Sequence, residues 1–451
     1  DKNESAVWLS TYTRNLQRQL DGEIDRLYPD RAEKALRAVV RKGRENYLCL
    51  LNFEDALKEG AASDLVTLGL VARWIQATRD GDMIGGDFPA WLGDLLGRRR
   101  TVELTDTRGE CIYSACSHYG KCFIEKSVRR ARRARLVIAN HALVMVQAAL
   151  GPDDQTRAAR YVFDEGHHLF DAADSAFSAH LTGSEAAELR RWLLGAERRR
   201  SGRTRGLKAR LDGLIEDNKK AVEAVEEIER WAHGLPGPSW MQRVAGGGAH
   251  GPLEIFLAKA HQQVYARDRN AGSAYGLEAD ASPPVDGLVE AANTLAQHLN
   301  RLRPSVQTLI GCLQRKLDEE SETLDTQTRT RIESVTRSLE RRTISTIESW
   351  RSMLESLSDT PSETFVDFFG LERIEGRDVD VGLHRHFIDP MLPFAQTMTD
   401  VAQGMLITSA TLRDKRETDV ATMWNAAATR TGARHLGSSV DFRSEEHTSE
   451  L

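Results

Sequence analysis

Two rhythms of apolar and polar positions run along this chain. Four short apolar runs end abruptly in polar residues. They are Val7-Trp8-Leu9 before Ser10-Thr11-Tyr12-Thr13, and Leu136-Val137-Ile138-Ala139 before Asn140-His141. The third and fourth are Tyr161-Val162-Phe163 before Asp164-Glu165-Gly166-His167-His168, and Met405-Leu406-Ile407-Thr408 before Ser409-Ala410-Thr411-Leu412. Brief continuous apolar runs bounded by turn residues predict strands buried on both faces, as in a parallel sheet. In open α/β sheets, chemistry sits just beyond the carboxyl ends of the strands, and all four polar stretches fall there. The second rhythm is helical. It covers residues 52–110, with a Gly-rich break at Gly81–Gly86. It returns from about 180 to 360 in segments rich in Glu and Arg (Leu211–Trp231, Ala291–Leu317, Thr328–Leu357). Loops at Gly234–Gly251 and around Ser282-Pro283-Pro284 split these segments, and the pattern predicts an all-helical insertion. No fixed-period repeat is present.

Composition narrows the class. A length of 451 residues implies about three domains. With 28% charged and 40% hydrophobic residues, the chain reads as an ordinary globular protein. No apolar run is long enough to span a bilayer, and the first residues carry no signal-peptide pattern. A net charge of −6 excludes a uniformly basic nucleic-acid coat, although local patches matter more than the sum. Five cysteines, an odd number with no sign of secretion, argue for a metal or cluster site over a disulfide framework.

Candidate chemistry gathers at three places. Asp164 and Glu165 stand where one carboxylate can hold Mg²⁺ while its neighbour orients or deprotonates a water. The alternative is an acidic helix N-terminus that suits the helix dipole. Cys49, Cys111, Cys116 and Cys122, the last three in a C-x4-C-x5-C run, make a four-thiolate set. Such a set suits an iron–sulfur cluster or a tetrahedral zinc, and spacing alone does not choose between them. Cys312, inside the helical insertion, reads as core. Directly after Cys122 comes a basic helix with Lys126, Arg129, Arg130, Arg132, Arg133 and Arg135. It is either a solvated face or a surface whose guanidinium forks take phosphate oxygens.

Together these stretches resemble one family. STYTRNLQRQL (residues 10–20) resembles motif Ia of the XPD/DinG branch of superfamily 2 helicases. DEGHH (164–168) resembles its DEAH-type Walker B motif, and ITSATL (407–412) its motif III. VIANHALV (137–144) resembles the segment ahead of Walker B. NYLCL followed by C-x4-C-x5-C resembles the iron–sulfur cysteines, with DinG-type spacing. The resemblance implies an α/β fold: a RecA-like parallel-sheet motor domain 1 interrupted by an iron–sulfur cluster domain and an all-helical arch. The motor would comprise residues 1–47, 126–180 and 365–442, the cluster domain 48–125 and the arch 181–364. By the same resemblance Asp164 ligates Mg²⁺ and Glu165 activates the attacking water. His167, Ser409 and Thr411 couple nucleotide state to DNA grip, and Thr11, Thr13 and Arg14 contact a single strand. Arg130 and Arg133 add backbone contacts. For Thr11 and Thr13 a helix N-cap is the competing role, for Arg14 a solvated face, and for His141 a hydrogen bond within the core.

The implied activity is ATP-dependent 5′→3′ translocation on single-stranded DNA with unwinding of forked or tailed duplexes. The implied cofactors are ATP, Mg²⁺ and a 4Fe–4S cluster, and the implied setting is DNA repair in a bacterial cytoplasm, at the nucleoid. A non-enzymatic DNA-binding module with an iron–sulfur or zinc site is the competing reading. The chain has no G-x-x-x-x-G-K-[ST]: Gly120-Lys121 is followed by Cys122, with Ala115 at the first Gly position. The resemblance puts that phosphate loop upstream of Asp1 and a second motor domain beyond Phe442. His435–Phe442 resembles the approach to that domain, though Ser439-Val440 departs from the usual Pro-Phe. Residues 443–451 resemble a translated sequencing adapter and are set aside as an artefact.

Overall fold

The computed structural model describes residues 6–59, 64–106, 111–149, 160–195, 206–267, 274–320, 322–359, 362–412 and 419–436. Among the described residues nine strands are formed: β1 (Val7–Thr11), β2 (Ala38–Val40), β3 (Leu136–Asn140), β4 (Arg160–Phe163), β5 (Ala179–Thr182), β6 (Leu277–Asp280), β7 (Phe365–Ile374), β8 (Arg377–Phe387) and β9 (Gly404–Ile407). Five of them make a wholly parallel sheet in the order β2-β3-β1-β4-β9. The four apolar runs of the sequence supply β3, β1, β4 and β9. Their register places Ser10 beside Ala139 and Phe163, so the polar stretches beyond these strands emerge at one edge.

Alternation along these strands sorts side chains between two helical layers. Trp8, Val39, Val137, Ala139, Tyr161 and Phe163 pack with residues of the helices His141–Ala149, Leu169–Phe177 and Met391–Val401. Ala38 and Ile138 face the other way, onto Ile24 and Leu20 of the helix Arg14–Leu27.

Strand β2 was not legible in the sequence, where residues 36–51 read only as basic and then apolar. A three-residue strand lies below the length at which period-2 alternation can be seen.

The segment expected to be all-helical contains strand β6, and residues 365–387, expected to belong with the parallel sheet, contribute β7 and β8 to a second sheet with it. Strands β5, β8, β7 and β6, in that order, form an antiparallel sheet on which the helices pack. One continuous core joins Leu181, Leu277, Phe369, Leu371, Val381 and Leu383 of this sheet to Trp192, Phe256, Leu295 and Trp350 of the helices. The β7–β8 hairpin turns at Glu375 and Gly376, both at positive φ (52° and 75°), the two-residue turn that matches strand twist. The Gly/Pro-rich loop of residues 234–251 also contains a helix, Trp240–Gly246.

Between β2 and β3 lies a smaller helical unit, with helices Leu50–Glu59, Leu65–Ala77 and Ala90–Glu103. It buries its own cluster of Leu48, Phe53, Leu68, Val71, Trp74, Met83, Leu92 and Leu104. Among the described residues, no helix is long and apolar enough to cross a membrane.

A group of histidines joins the two sheets. His180 and His384 share a hydrogen bond between their Nδ1 atoms at 2.9 Å, and Phe368 stacks on His384. His386 bonds Asp174, which lies on the helix Leu169–Phe177 packed against the parallel sheet. Burial pushes His384 down to about 4, with His180 and His386 adding like charge when protonated. Burial likewise pushes His141 down to about 4. A histidine buried neutral binds its proton more weakly in the folded chain than in the unfolded one. Its stabilising contribution is therefore complete above about pH 6.5 and is lost as pH falls toward 4, up to about 3 kcal/mol for each group. Urea midpoints measured from pH 7 to 4 are expected to fall across that window. In His384→Gln the slope should be shallower by about one proton; an unchanged slope would remove His384 as a source of acid lability.

Candidate functional site

The site is built from the chain just past β1, β3, β4 and β9. Past β1, Ser10 and Thr11 are buried, Tyr12 and Thr13 are exposed, and the Thr13 hydroxyl accepts from Leu16 N–H (3.3 Å) as the N-cap of the helix Arg14–Leu27. Thr13 thus takes the capping role considered from sequence, and the Thr11 hydroxyl is enclosed. Arg14 begins that helix, and its side chain lies outside the described residues. Past β3, His141 is fully buried and its Nδ1 shares a 2.7 Å hydrogen bond with Ser10 Oγ, the core role expected for it.

Past β4 the chain turns sharply. Asp164 N–H donates to Ser10 C=O (2.8 Å) and Gly166 N–H to Thr408 C=O (2.9 Å), which ties the turn to β1 and to the end of β9. Glu165 makes the bend with φ 57° and ψ 45°. A non-glycine residue in the left-handed region costs on the order of 1–3 kcal/mol, so this glutamate is held there by its surroundings. Gly166 follows because nothing larger fits: a Cβ would lie 2.4 Å from Ile407 Cγ2.

The turn brings the sequence-predicted residues together. His167 Nδ1 lies 2.7 Å from Ser409 Oγ, 3.4 Å from Thr411 Oγ1 and 3.3 Å from Glu165 Oε2. One imidazole therefore touches both the acidic turn and the motif after β9. His168 stacks on Tyr12 with ring centroids 3.8 Å apart and planes 13° from parallel. This second bridge, from the turn to the polar stretch after β1, was missed in the sequence. Its only trace there was an aromatic residue between two threonines. Asp164 is partly buried, and burial raises its carboxyl above the ordinary range; a bond from Glu165 N–H opposes this, and the nearby Glu165 charge adds to it. That is the state of a carboxylate short of positive charge, which a cation would relieve.

A second constellation lies in the smaller helical unit. Cys49, Cys111, Cys116 and Cys122 line one cavity, with Tyr113 and His118 among its walls. Cys49 is pinned where its N–H donates to Leu104 C=O (2.8 Å), just before the helix Leu50–Glu59. The other three sit in tight turns whose backbone N–H groups point back at sulfur. Tyr113 N–H reaches Cys111 Sγ at 3.4 Å, His118 N–H faces Cys116, and Ile124 and Glu125 N–H face Cys122. Burial pushes the Cys111 thiol up to about 12, opposed by the neighbouring Arg44 guanidinium, and raises Cys116 and Cys122. Thiols so buried become thiolates only when a metal compensates their charge. Among the described residues, no three His, Cys, Asp or Glu side chains converge closely enough for one metal ion. Cys312 is buried core, as expected.

The basic helix is shorter than its charge pattern suggested. It spans Phe123–Ala131, buries Ile124 and Ala131, and ends before Arg133. Arg130 and Arg133 are both exposed, Arg130 donating weakly to Ala35 C=O at 3.5 Å. Arg129 lies over the Tyr119 ring.

No protein-family profile matches the chain. Over 197 residues it is 29% identical to the ATP-dependent DNA helicase YoaA of Haemophilus influenzae, covering 40% of this chain and 29% of that protein. Over 234 residues it is 27% identical to the 3′-5′ exonuclease DinG of Bacillus subtilis, covering 51% and 24%. Over 206 residues it is 29% identical to the ATP-dependent helicase DinG of Mycobacterium tuberculosis, covering 40% and 30%. The chain thus spans less than a third of the length of these relatives. Among solved structures, an XPD helicase aligns over 92% of this chain and 51% of its own at 10% identity, with a TM-score of 0.32, too slight a likeness to carry an argument.

Proposed function

We propose that this chain, similar over part of its length to DinG/YoaA-type ATP-dependent DNA helicases, supplies the first motor domain of such an enzyme. In this reading the motor carries a thiol-lined cluster unit and a helical arch. The observation that carries it is the contact of His167 with both Glu165 and Ser409, residues that lie far apart in sequence and belong to two separate helicase-like motifs.

Asp164 would hold Mg²⁺, which also explains why its carboxyl is poised high without one. Bound ATP and Mg²⁺ would supply the phosphoryl-transfer chemistry. Glu165 would orient a water and accept its proton, its carboxylate aimed by the left-handed bend. His167 would pass the change in this turn to Ser409 and Thr411. Tyr12 and Thr13, exposed after β1, with Arg14 beyond them, would meet a single strand of DNA. The four cysteines would hold a 4Fe–4S cluster, whose charge the N–H groups around them suit. Movement 5′→3′ on forked or tailed DNA, in repair at the nucleoid, completes the proposal.

DNA binding tests the reading directly. Arg130→Ala with Arg133→Ala is expected to weaken single-strand binding without changing base preference. The log–log salt slope should shrink by about 0.7 for each phosphate that is no longer neutralised. Fluorescence anisotropy across a salt series measures this, and an unchanged slope would make these arginines a solvated surface.

A further inference from the structure

Among the contacts between the arch and the thiol cavity is one made by a buried arginine. Arg210, on the helix Leu207–Leu211, is 1% exposed. Its guanidinium lies over the Trp192 ring at 4.8 Å, and Nη1 donates to Trp192 C=O at 2.9 Å. Its Nε points out of the arch and donates to Cys111 C=O at 3.4 Å. The backbone of Arg210 is fixed in turn: its C=O accepts from Arg331 Nε at 3.0 Å, and Arg331 belongs to the helix Thr326–Leu339. That helix also grips the next residues of the cysteine turn. Tyr113 Oη and Ser338 Oγ are 3.4 Å apart, and Ser114 Oγ donates to Gln327 C=O at 3.1 Å. Tyr113 itself is held at φ 49°, a conformation that a non-glycine residue keeps only when its surroundings impose it.

Burying a guanidinium costs free energy that a leucine at the same place would not. A cation kept inside a helical core and aimed at a main-chain carbonyl outside it therefore signals a positional role. We infer that Arg210 is a positioning residue for the thiol site: it carries the arch onto the main chain of Cys111, so that arch docking and cysteine geometry are set by a single joint. Filling the site and seating the arch are then linked, each favouring the other by the same factor. The inference rests on the thiol-site reading proposed above, but the joint itself does not need a metal.

Two measurements on this chain, purified without air, test it. The first is the rate at which an excess iron chelator bleaches visible absorption, well below the unfolding temperature. Outer-shell partners of metal ligands typically change metal affinity by about 10- to 100-fold, so Arg210→Met should bleach about tenfold faster or more, and Arg210→Lys should recover most of the difference. An arginine that served only the arch core would lower global stability and leave the bleaching rate unchanged. The second is amide exchange, where protection should fall together in residues 111–116 and 326–339. Should Arg210→Met fail to fold, the Tyr113→Phe, Ser114→Ala double variant decides, since it leaves the arch core untouched. Unchanged bleaching in whichever variant folds, or reduced protection on one side only, overturns the joint. Parental protein that is colourless with zinc overturns the iron–sulfur reading alone, and exchange then still decides the joint.

Discussion

Glu165→Gln is expected to abolish ATP turnover in a full-length helicase carrying this segment, by about 10²- to 10⁴-fold, with nucleotide binding held near the parental level. Glutamine keeps the shape of the side chain and its reach to His167 but cannot accept a proton from water. The backbone bend at φ 57° persists, because it is imposed by the Gly166–Thr408 and Asp164–Ser10 bonds and not by the carboxylate. Asp164→Asn should fail differently, weakening Mg²⁺-dependent binding, because the residue that loses charge there is the one short of a cation. Glu165→Asn separates chemistry from folding. Asparagine tolerates the left-handed region better than most residues, so this variant should fold at least as stably as the parent while remaining inactive. Steady-state ATPase and nucleotide-binding titrations distinguish these outcomes. Parental turnover in Glu165→Gln would show that this strand end is not the hydrolytic centre.

Serine at Cys49, Cys111, Cys116 or Cys122 should remove the brown colour and visible absorption of protein purified without air, each change as complete as the next. Serine at Cys312, buried within the helix Leu288–Glu319, should not. The accompanying loosening is expected to be local. The stretch between Cys49 and Cys111 has a core of its own around Leu48, Trp74 and Leu104, so the helices there should survive loss of any metal. Residues 111–122, which contain only short turns, should become the site of faster proteolysis. Colour retained in Cys116→Ser would remove Cys116 from the ligand set, and proteolysis spread over residues 50–104 would show that the whole unit depends on the metal.

The parallel sheet was readable because its strands are short continuous apolar runs that end in chemistry, although β9, at the edge, leaves Leu406 exposed. A continuous apolar run followed by Asp164-Glu165-Gly166 leaves few other structures open. The convergence of His167 on Ser409 was readable only through family resemblance, since no local pattern shows which strand ends are neighbours. Of the antiparallel sheet, the sequence shows only short strand-like text near Phe365–Phe369, the start of β7. Strand β6 has only four residues, and β7 and β8 mix charged and apolar positions around a bulge at Glu372/Arg373. The long helices around them gave so strong a period that the sheet beneath was hidden. Arg210 was equally hidden, because an arginine in a basic stretch reads as surface until the packing shows it to be core.

Strands β5 and β8 carry the chain into and out of the helix-rich segment between them, and they pair side by side, with Thr182 opposite Gly382. Gly382 permits this closeness: a Cβ there would lie 2.3 Å from Leu181 O. A long excursion whose two ends meet behaves as a cassette. From the standpoint of the parallel sheet it replaces a tight turn, because the chain returns almost to the point where it left. Such a cassette can lengthen, shrink or diverge between relatives without altering the strand order beneath it. Force applied at its far end reaches the parallel sheet as a torque on one paired neck, not as a pull on two independent tethers.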